Sequence, residues 1–394
     1  MAIPRSFIAA LSTSALICAA VSLAWAAPAP RNQGATPKAA PPLLFKVFTP
    51  APTLQYFPTA ATNMAGWTKV TAGATNGNPS LLRTLNGVFL VGRGGDNAIY
   101  GAPVNIANPQ AINPSSWQVL AGPFDSGIAC NAGEPSDWQN QIKWSRCYGL
   151  GAGGSAAEVE FPFAPGGNIG DGTIRNIGGQ NAGGLPMGIH FALQFPNVRT
   201  VSVVTVVADS GIWLRKTAVT GFSNLNTPIT ETNWQKVPYQ AAGSAAACIN
   251  GDLHEIFCAY RSVNNFVRLL ALKGAPNNPA PDMLSNPASW INANIINSPT
   301  ATPAIAQPLT SAPSIIKHPN MRYSIMIRDF DGSLKRIVYN AINKSWGAWS
   351  DEGGYLATGS QPSCIADGAV PVCLIQGPDG AGYIKRLPAA TAGL

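Results

Sequence analysis

Charge is scarce in this chain: Asp, Glu, Lys and Arg make up 11% of its residues, against ~25% in an average soluble protein. The Lys and Arg residues are scattered, and no basic run is interleaved with aromatics. Nucleic-acid binding is therefore not expected. Histidine is rarer still, with three in the sequence: His190, His254 and His318. No Cys or His residues stand in tight C-x₂₋₄-C groupings, so no metal and no cofactor is expected. Glutamate occurs at 134, 158, 160, 231, 255 and 352 alone, a thin supply for the two facing carboxylates of a glycosidase. G-x-S-x-G, H-E-x-x-H and a phosphate loop are all missing. After residue 26 no run is long and apolar enough to span a bilayer as a helix, and no convincing amphipathic helix is present.

At the N-terminus, Arg5 supplies a positive region and Phe7 to Leu23 an apolar one. Ala24-Trp25-Ala26 fits a small-x-small cleavage site, so residues 1–26 read as a secretion signal. Residues 27–42 form an Ala/Pro-rich flexible leader. The formal charge of +7 becomes +6 when Arg5 leaves. The mature chain is expected to be secreted or periplasmic. Residues 43–390 are long enough for a large core and read as a single domain.

What is abundant is turn chemistry. There are 40 Gly and 34 Pro, with 46% hydrophobic residues spread along the chain, which excludes disorder. A phrase recurs: a small residue and a Trp, a short strand, a Gly-rich turn, two apolar strands, an Asp/Asn/Gly turn and a last strand. Trp67, Trp117, Trp234, Trp290 and Trp346 open five copies, and Ile174 stands in the Trp position of another. The openings lie roughly 50–60 residues apart, the length of one propeller blade. The apolar runs alternate across Gly and Asp turns, as hairpins do. We therefore expect an all-β fold, a β-propeller of six blades, each of four antiparallel strands. Seven is the alternative if Leu54 to Phe57 belongs to a degenerate copy. An N-terminal strand, Leu43 to Phe48, is suited to close the ring.

Once Cys18 leaves with the signal, six cysteines remain, which allow 15 pairings in principle. The repeat suggests one: each close pair brackets a hairpin, giving Cys130–Cys147, Cys248–Cys258 and Cys364–Cys373. Opposed residues on antiparallel strands bring Cβ atoms to about 4.5–5.5 Å, near enough to bridge.

Phe89-Leu90-Val91-Gly92-Arg93-Gly94-Gly95-Asp96-Asn97-Ala98-Ile99-Tyr100 resembles the "VFVRGxDNxLY" segment of bacterial Trp-repeat propeller lectins of the fucose-binding type. Ser345-Trp346-Gly347-Ala348-Trp349 with Gly353-Gly354 is similar to their "W-x-x-W…GG" opening. The resemblance implies sugar binding in clefts between blades, by aromatic and polar groups of the repeat. It also implies seven blades, where six copies are counted here. The second Trp survives only as Trp349, with Val70, Leu120 or Val237 elsewhere.

The reading is thus a secreted, non-catalytic carbohydrate-binding propeller whose partner is a glycan or cell-surface polysaccharide. Trp346, Trp349, Trp117 and Tyr100 are candidate ligand contacts, because an indole face suits a pyranose ring. Packing between blades is their plain alternative role. Trp138 and Trp144 join them, from the charged segment between Cys130 and Cys147. A hydrolase and an envelope scaffold are the alternatives. Asp209-Ser210-Gly211-Ile212-Trp213 approaches a sialidase Asp-box but lacks its leading Ser and its Thr.

Overall fold

A short strand with apolar residues on both faces cannot bury itself alone. The computed structural model meets this need with six antiparallel sheets, the blades of a β-propeller. It describes residues 64–71, 75–84, 87–130, 144–162, 173–180, 185–193, 199–220, 230–231, 233–237, 241–250, 255–265, 267–273, 293–297, 311–329 and 331–389.

In chain order, β1 (Thr68–Lys69) precedes the first complete blade. Blade one is β2 (Ser80–Thr84), β3 (Gly87–Arg93), β4 (Ile99–Val104) and β5 (Gln118–Ala121). Blade two is β6 (Ile128–Cys130), β7 (Trp144–Leu150), β8 (Ser155–Pro162) and β9 (Thr173–Gln180). Blade three is β10 (Met187–Leu193), β11 (Arg199–Ala208) and β12 (Gly211–Thr220), with its outer edge split between β13 (Thr230–Glu231) and β14 (Gln235–Lys236). Blade four is β15 (Ala247–Asn250), β16 (Glu255–Arg261), β17 (Val267–Lys273) and β18 (Ala293–Asn297). Blade five is β19 (Ser314–His318), β20 (Arg322–Arg328) and β21 (Leu334–Asn340), edged by β22 (Ser345–Trp346) and β23 (Ser350–Gly353). Blade six is β24 (Ser363–Asp367), β25 (Val370–Gln376) and β26 (Gly382–Arg386), with β1 as its outer strand.

That last pairing corrects the phase of the repeat. The Trp-led strand was expected to belong to the same sheet as the two apolar strands that follow it. Instead it forms the outer edge of the sheet before. Thr68 pairs with Ile384 and Lys69 with Tyr383, so the strand after Trp67 lies in blade six. The strand after Trp117 edges blade one, and β14, after Trp234, edges blade three. The physical reason is that an outer strand must come from the chain leaving the third strand, and the copy boundary falls between them. Leu43 to Phe48, expected to close the ring, lies outside the described residues.

The innermost strands meet in ring order, and serines join several of them. Cys130 N–H donates to Ser80 Oγ (2.9 Å), Leu81 N–H to Ser363 Oγ (2.9 Å), and Cys364 N–H to Ser314 Oγ (3.1 Å). Each bond runs from the first strand of one blade to that of its neighbour. Ala129 precedes Cys130 and Ala247 precedes Cys248 where a serine stands elsewhere. At the junction of blades three and four Thr205 serves instead: its hydroxyl donates to Ala246 O (2.7 Å) and accepts from Ala246 N–H (3.1 Å). The axial cavity they surround holds about 30 Å³, room for a couple of waters at about 10–15 Å³ each.

The three expected disulfides are present, with Cα–Cα distances of 3.9, 3.9 and 4.1 Å. Each joins the first and second strands of blade two, four or six at directly opposed positions. The core lies between blades. Ile316, Met326 and Leu334 of blade five pack with Cys364, Ile375 and Leu387 of the blade-six segment.

Ser363→Ala would strip a partner from Leu81 N–H and from Ser80 Oγ. Thermal or denaturant unfolding should show a loss of about 1–3 kcal/mol, the cost of an orphaned buried donor. An unchanged midpoint would show that these bonds do not hold the ring.

Candidate functional site

Two of the repeat-opening indoles, Trp67 and Trp234, lie between blades and are held in the same way, and Trp290 lies outside the described residues. Gly178 (φ 69°) and Gly179 (φ 77°) at the outer edge of blade two receive Trp234; a Cβ on Gly179 would stand 2.8 Å from its Nε1. Gly353 (φ 70°) and Gly354 (φ 80°) at the outer edge of blade five receive Trp67; a Cβ on Gly354 would stand 2.7 Å from its Nε1. Left-handed backbone and close approach both require glycine there.

A cation from the next blade reaches across each junction. Lys385, on β26, donates to Glu352 O (2.6 Å) with its ammonium 5.8 Å from the centre of the Trp67 ring. Arg215, on β12, donates to Ile177 O, which also accepts from Trp234 Nε1 (3.1 Å). An Arg–Glu pair stands at each junction. Arg336 Nε lies 2.8 Å from Glu352 Oε1, which Ser350 Oγ also reaches at 2.7 Å. Arg336 Nη1 donates to Pro388 O at 2.6 Å. At the other junction Arg175 Nε meets Glu158 Oε1 at 2.7 Å, and Arg146 Nη2 meets Glu160 Oε2 at 2.9 Å. β-sheet register makes this ladder: Arg146 opposes Glu160, and Glu158 opposes Arg175.

The junctions differ in their unspent groups. Trp67 is 8% exposed and among the described residues its Nε1–H has no partner, whereas Trp234 Nε1–H is committed. Among the described residues buried Glu158 Oε2 also has none. Burial raises the Glu158 carboxyl above its usual range, with Arg146 and Arg175 pulling against that. Beside Arg336, buried His318 holds Ser324 Oγ at 2.7 Å through Nε2. Burial, then the charges of Arg336 and Arg322, lower its imidazole to about 4.

The residues singled out from sequence are dispersed. Tyr100 lies on β4, its hydroxyl donating to Asp96 Oδ2 at 2.7 Å. Its ring lies so near Gly94 that a Cβ there would be 2.6 Å from Cε2. Tyr383 repeats the arrangement with Asp379 (3.0 Å) and Gly377, so this position clamps a hairpin turn. Trp117 follows the 3-10 turn Pro114–Ser116, half-buried against a cluster that includes Val70, Leu81, Leu374 and Ile384. Trp346 and Trp349 are each half-buried against a cluster shared by blades three to five. The Trp346 ring stands 4.8 Å from Tyr339, and among the described residues Trp349 Nε1–H has no partner. Trp144 opens β7 opposite Pro162, and Trp138 lies outside the described residues. Asp209 and Ser210 (φ 50° and 52°) form a two-residue hairpin turn, which accounts for the Asp-box-like segment. Arg336, Glu352 and Lys385 were not singled out from sequence, and Trp67 stands there only as one of the repeat-opening indoles that could stack on a sugar or pack between blades. The double glycine after an outer strand was the available signal. Among the described residues no group of three or more His, Cys, Asp or Glu could hold a metal.

No protein-family model matches the sequence, and no curated protein does. Solved structures do share the fold. A variant of the Aleuria aurantia lectin in complex with Fucalpha1-6GlcNAc is 8% identical, with a TM-score of 0.52, over 81% of this chain and 98% of that one. The fucose-specific lectin from Aleuria aurantia is 8% identical at 0.50, over 82% of this chain and 100% of that one. AofleA from Arthrobotrys oligospora is 9% identical at 0.50, over 80% and 84%. At such identity these likenesses carry the architecture alone.

His318 gives the site a pH signature. Below pH 6.5 the unfolded chain takes a proton on this imidazole that the folded protein refuses until about pH 4. Stability should fall across that window by about 3 kcal/mol and then level off. His318→Gln should remove that share of the slope, read from denaturant midpoints at a series of pH values. Parallel curves for the two proteins would contradict it.

Proposed function

We propose that the chain is a non-catalytic carbohydrate-binding propeller, with its main sites in the clefts between blades five and six and between blades two and three. One observation carries this reading. The same set occurs at both junctions: a Gly pair seating the neighbour's indole, a cation reaching a carbonyl across the gap, and an Arg–Glu pair beside it. An Arg–Glu pair presents fixed donors and acceptors to adjacent hydroxyls. An indole offers an apolar ring face and one N–H. Together these suit a neutral sugar. The cleft between blades five and six is the stronger candidate, because among the described residues the buried Trp67 Nε1–H has no acceptor. A ligand hydroxyl would fill that need.

Trp346 and Trp349 extend the proposal to the cluster shared by blades three to five, where among the described residues the Trp349 donor also has no partner. Neighbours named as fucose-specific or solved with a fucoside make fucosides the first probe. Three disulfides support an exported protein, since such bonds persist outside the reducing cytosol. Among the described residues no helix is long and apolar enough to cross a membrane. A glycan or cell-surface polysaccharide is the proposed partner.

A glycan array followed by calorimetry tests this. The folded, oxidised protein should bind at least one glycan saturably and release no product from aryl-glycosides. Glu352→Gln and Trp67→Phe should each weaken binding about tenfold or more, the loss of one charged or orphan-filling hydrogen bond. Near-UV spectra should stay native in both variants. Absence of binding to every glycan, or binding unchanged in both variants, would overturn the reading.

A further inference from the structure

The loop joining β4 to β5 in blade one lines an open surface pocket apart from the indole clefts. It measures about 230 Å³. Asn105, Asn108, Gln110 and Asn113 line it together with the apolar Val104 and Ile112, and none of its lining residues is charged. The loop builds these walls from its own bonds. Asn105 Oδ1 accepts from Ala107 N–H (3.0 Å) and Asn108 N–H (3.2 Å). Asn113 Oδ1 accepts from Ser115 N–H (3.0 Å) and Ser115 Oγ (2.9 Å). Both carboxamide oxygens are therefore spent inside the loop, which fixes the two side chains and leaves their Nδ2–H₂ donors to the pocket or solvent. Asn108 and Gln110 are exposed and present their carboxamides at the pocket wall.

The loop is also fastened to blade six. Ile106 and Ile112 are buried. Ile112 N–H donates to Val70 O at 2.8 Å. Arg386 donates to Ile106 O at 2.9 Å while the same guanidinium nitrogen meets Asp367 at 2.7 Å. The loop backbone and the Asn105 and Asn113 side chains are thus preorganised, and a ligand is spared the cost of ordering them.

Four carboxamides without a charge are the recognition chemistry of a neutral, polyhydroxylated molecule, and they would gain little from an anion or a cation. The volume lies below the ~300–1,000 Å³ of pockets for drug-sized ligands, so it suits one ring. We propose that this pocket is a second carbohydrate subsite, taking a single neutral monosaccharide ring through the Asn105, Asn108, Gln110 and Asn113 amides. The choice of sugar as ligand rests on the lectin reading; the pocket does not depend on the indole clefts.

Side-chain amide and indole resonances of the ¹⁵N-labelled protein distinguish the two. The probes are the methyl glycosides of fucose, galactose, mannose and N-acetylglucosamine. At least one should shift the carboxamide signals of this loop saturably, and Asn108→Ala with Gln110→Ala should weaken that response about tenfold, the loss of two hydrogen bonds. Shifts confined to Trp67 and its neighbours would overturn the pocket and leave the cleft standing. Shifts in the loop without any at Trp67 would support the pocket and count against the cleft. No shift anywhere with any of the four would overturn both.

Discussion

Closure of the ring is the constraint on which the rest depends. Five blades are built from consecutive strands, but blade six borrows β1 from the far end of the described chain. The ladder itself is short, with Thr68 opposite Ile384 and Lys69 opposite Tyr383. Neighbouring bonds lengthen it. Val70 N–H donates to Gly382 O (2.9 Å), Gly382 N–H to Thr71 Oγ (2.8 Å), and Thr75 N–H to Gly380 O (2.9 Å). The Lys69–Asp379 contact at 2.7 Å is exposed at both ends and adds little. Closure also covers the two apolar blade faces that an open array would leave exposed. The same stretch sets Trp67 on Gly354, so the strand that closes the ring also completes the leading candidate cleft.

Two kinds of fastening then secure the sheets. Disulfides tie the first strand to the second within blades two, four and six. Serine hydroxyls at 80, 314 and 363 tie first strands between blades. Apolar packing between faces supplies the bulk of the burial, but it is non-directional. The directional bonds near the axis fix how neighbouring sheets are aligned, and so hold the junctions at a constant width for the groups that line them.

Much of this architecture was legible in the sequence. The spacing of Trp117, Trp234 and Trp346, the Asp and Gly turns and the paired cysteines gave the blade number and the bridges, because each reports local geometry. The phase of the repeat was not legible. In a closed ring, a strand before a turn can pair backward or forward with the same periodicity, and only the partner of Thr68 decides. The candidate cleft was hidden for a related reason. Glu352, Arg336 and Lys385 lie on strands where alternating polar residues ordinarily face water. Their convergence depends on which blade stands opposite. Tyr100 shows the reverse: a prominent aromatic in the phrase turns inward on its own hairpin, held by Gly94 and Asp96.

Junctions that bury charge carry a cost unless each charge is matched. Arg336 with Glu352, and Arg146 with Glu160, meet that requirement within the protein. Among the described residues the indole N–H of Trp67 has no such partner, and that is why the closing junction is the leading proposed site. A crystal structure of the protein soaked with methyl α-L-fucoside would test the account most directly. The account predicts the sugar between blades five and six, with a hydroxyl accepting from Trp67 Nε1 and others facing Arg336 and Glu352. A bound sugar seated elsewhere, with Trp67 Nε1 still unpartnered and Lys385 still over its ring, would contradict it.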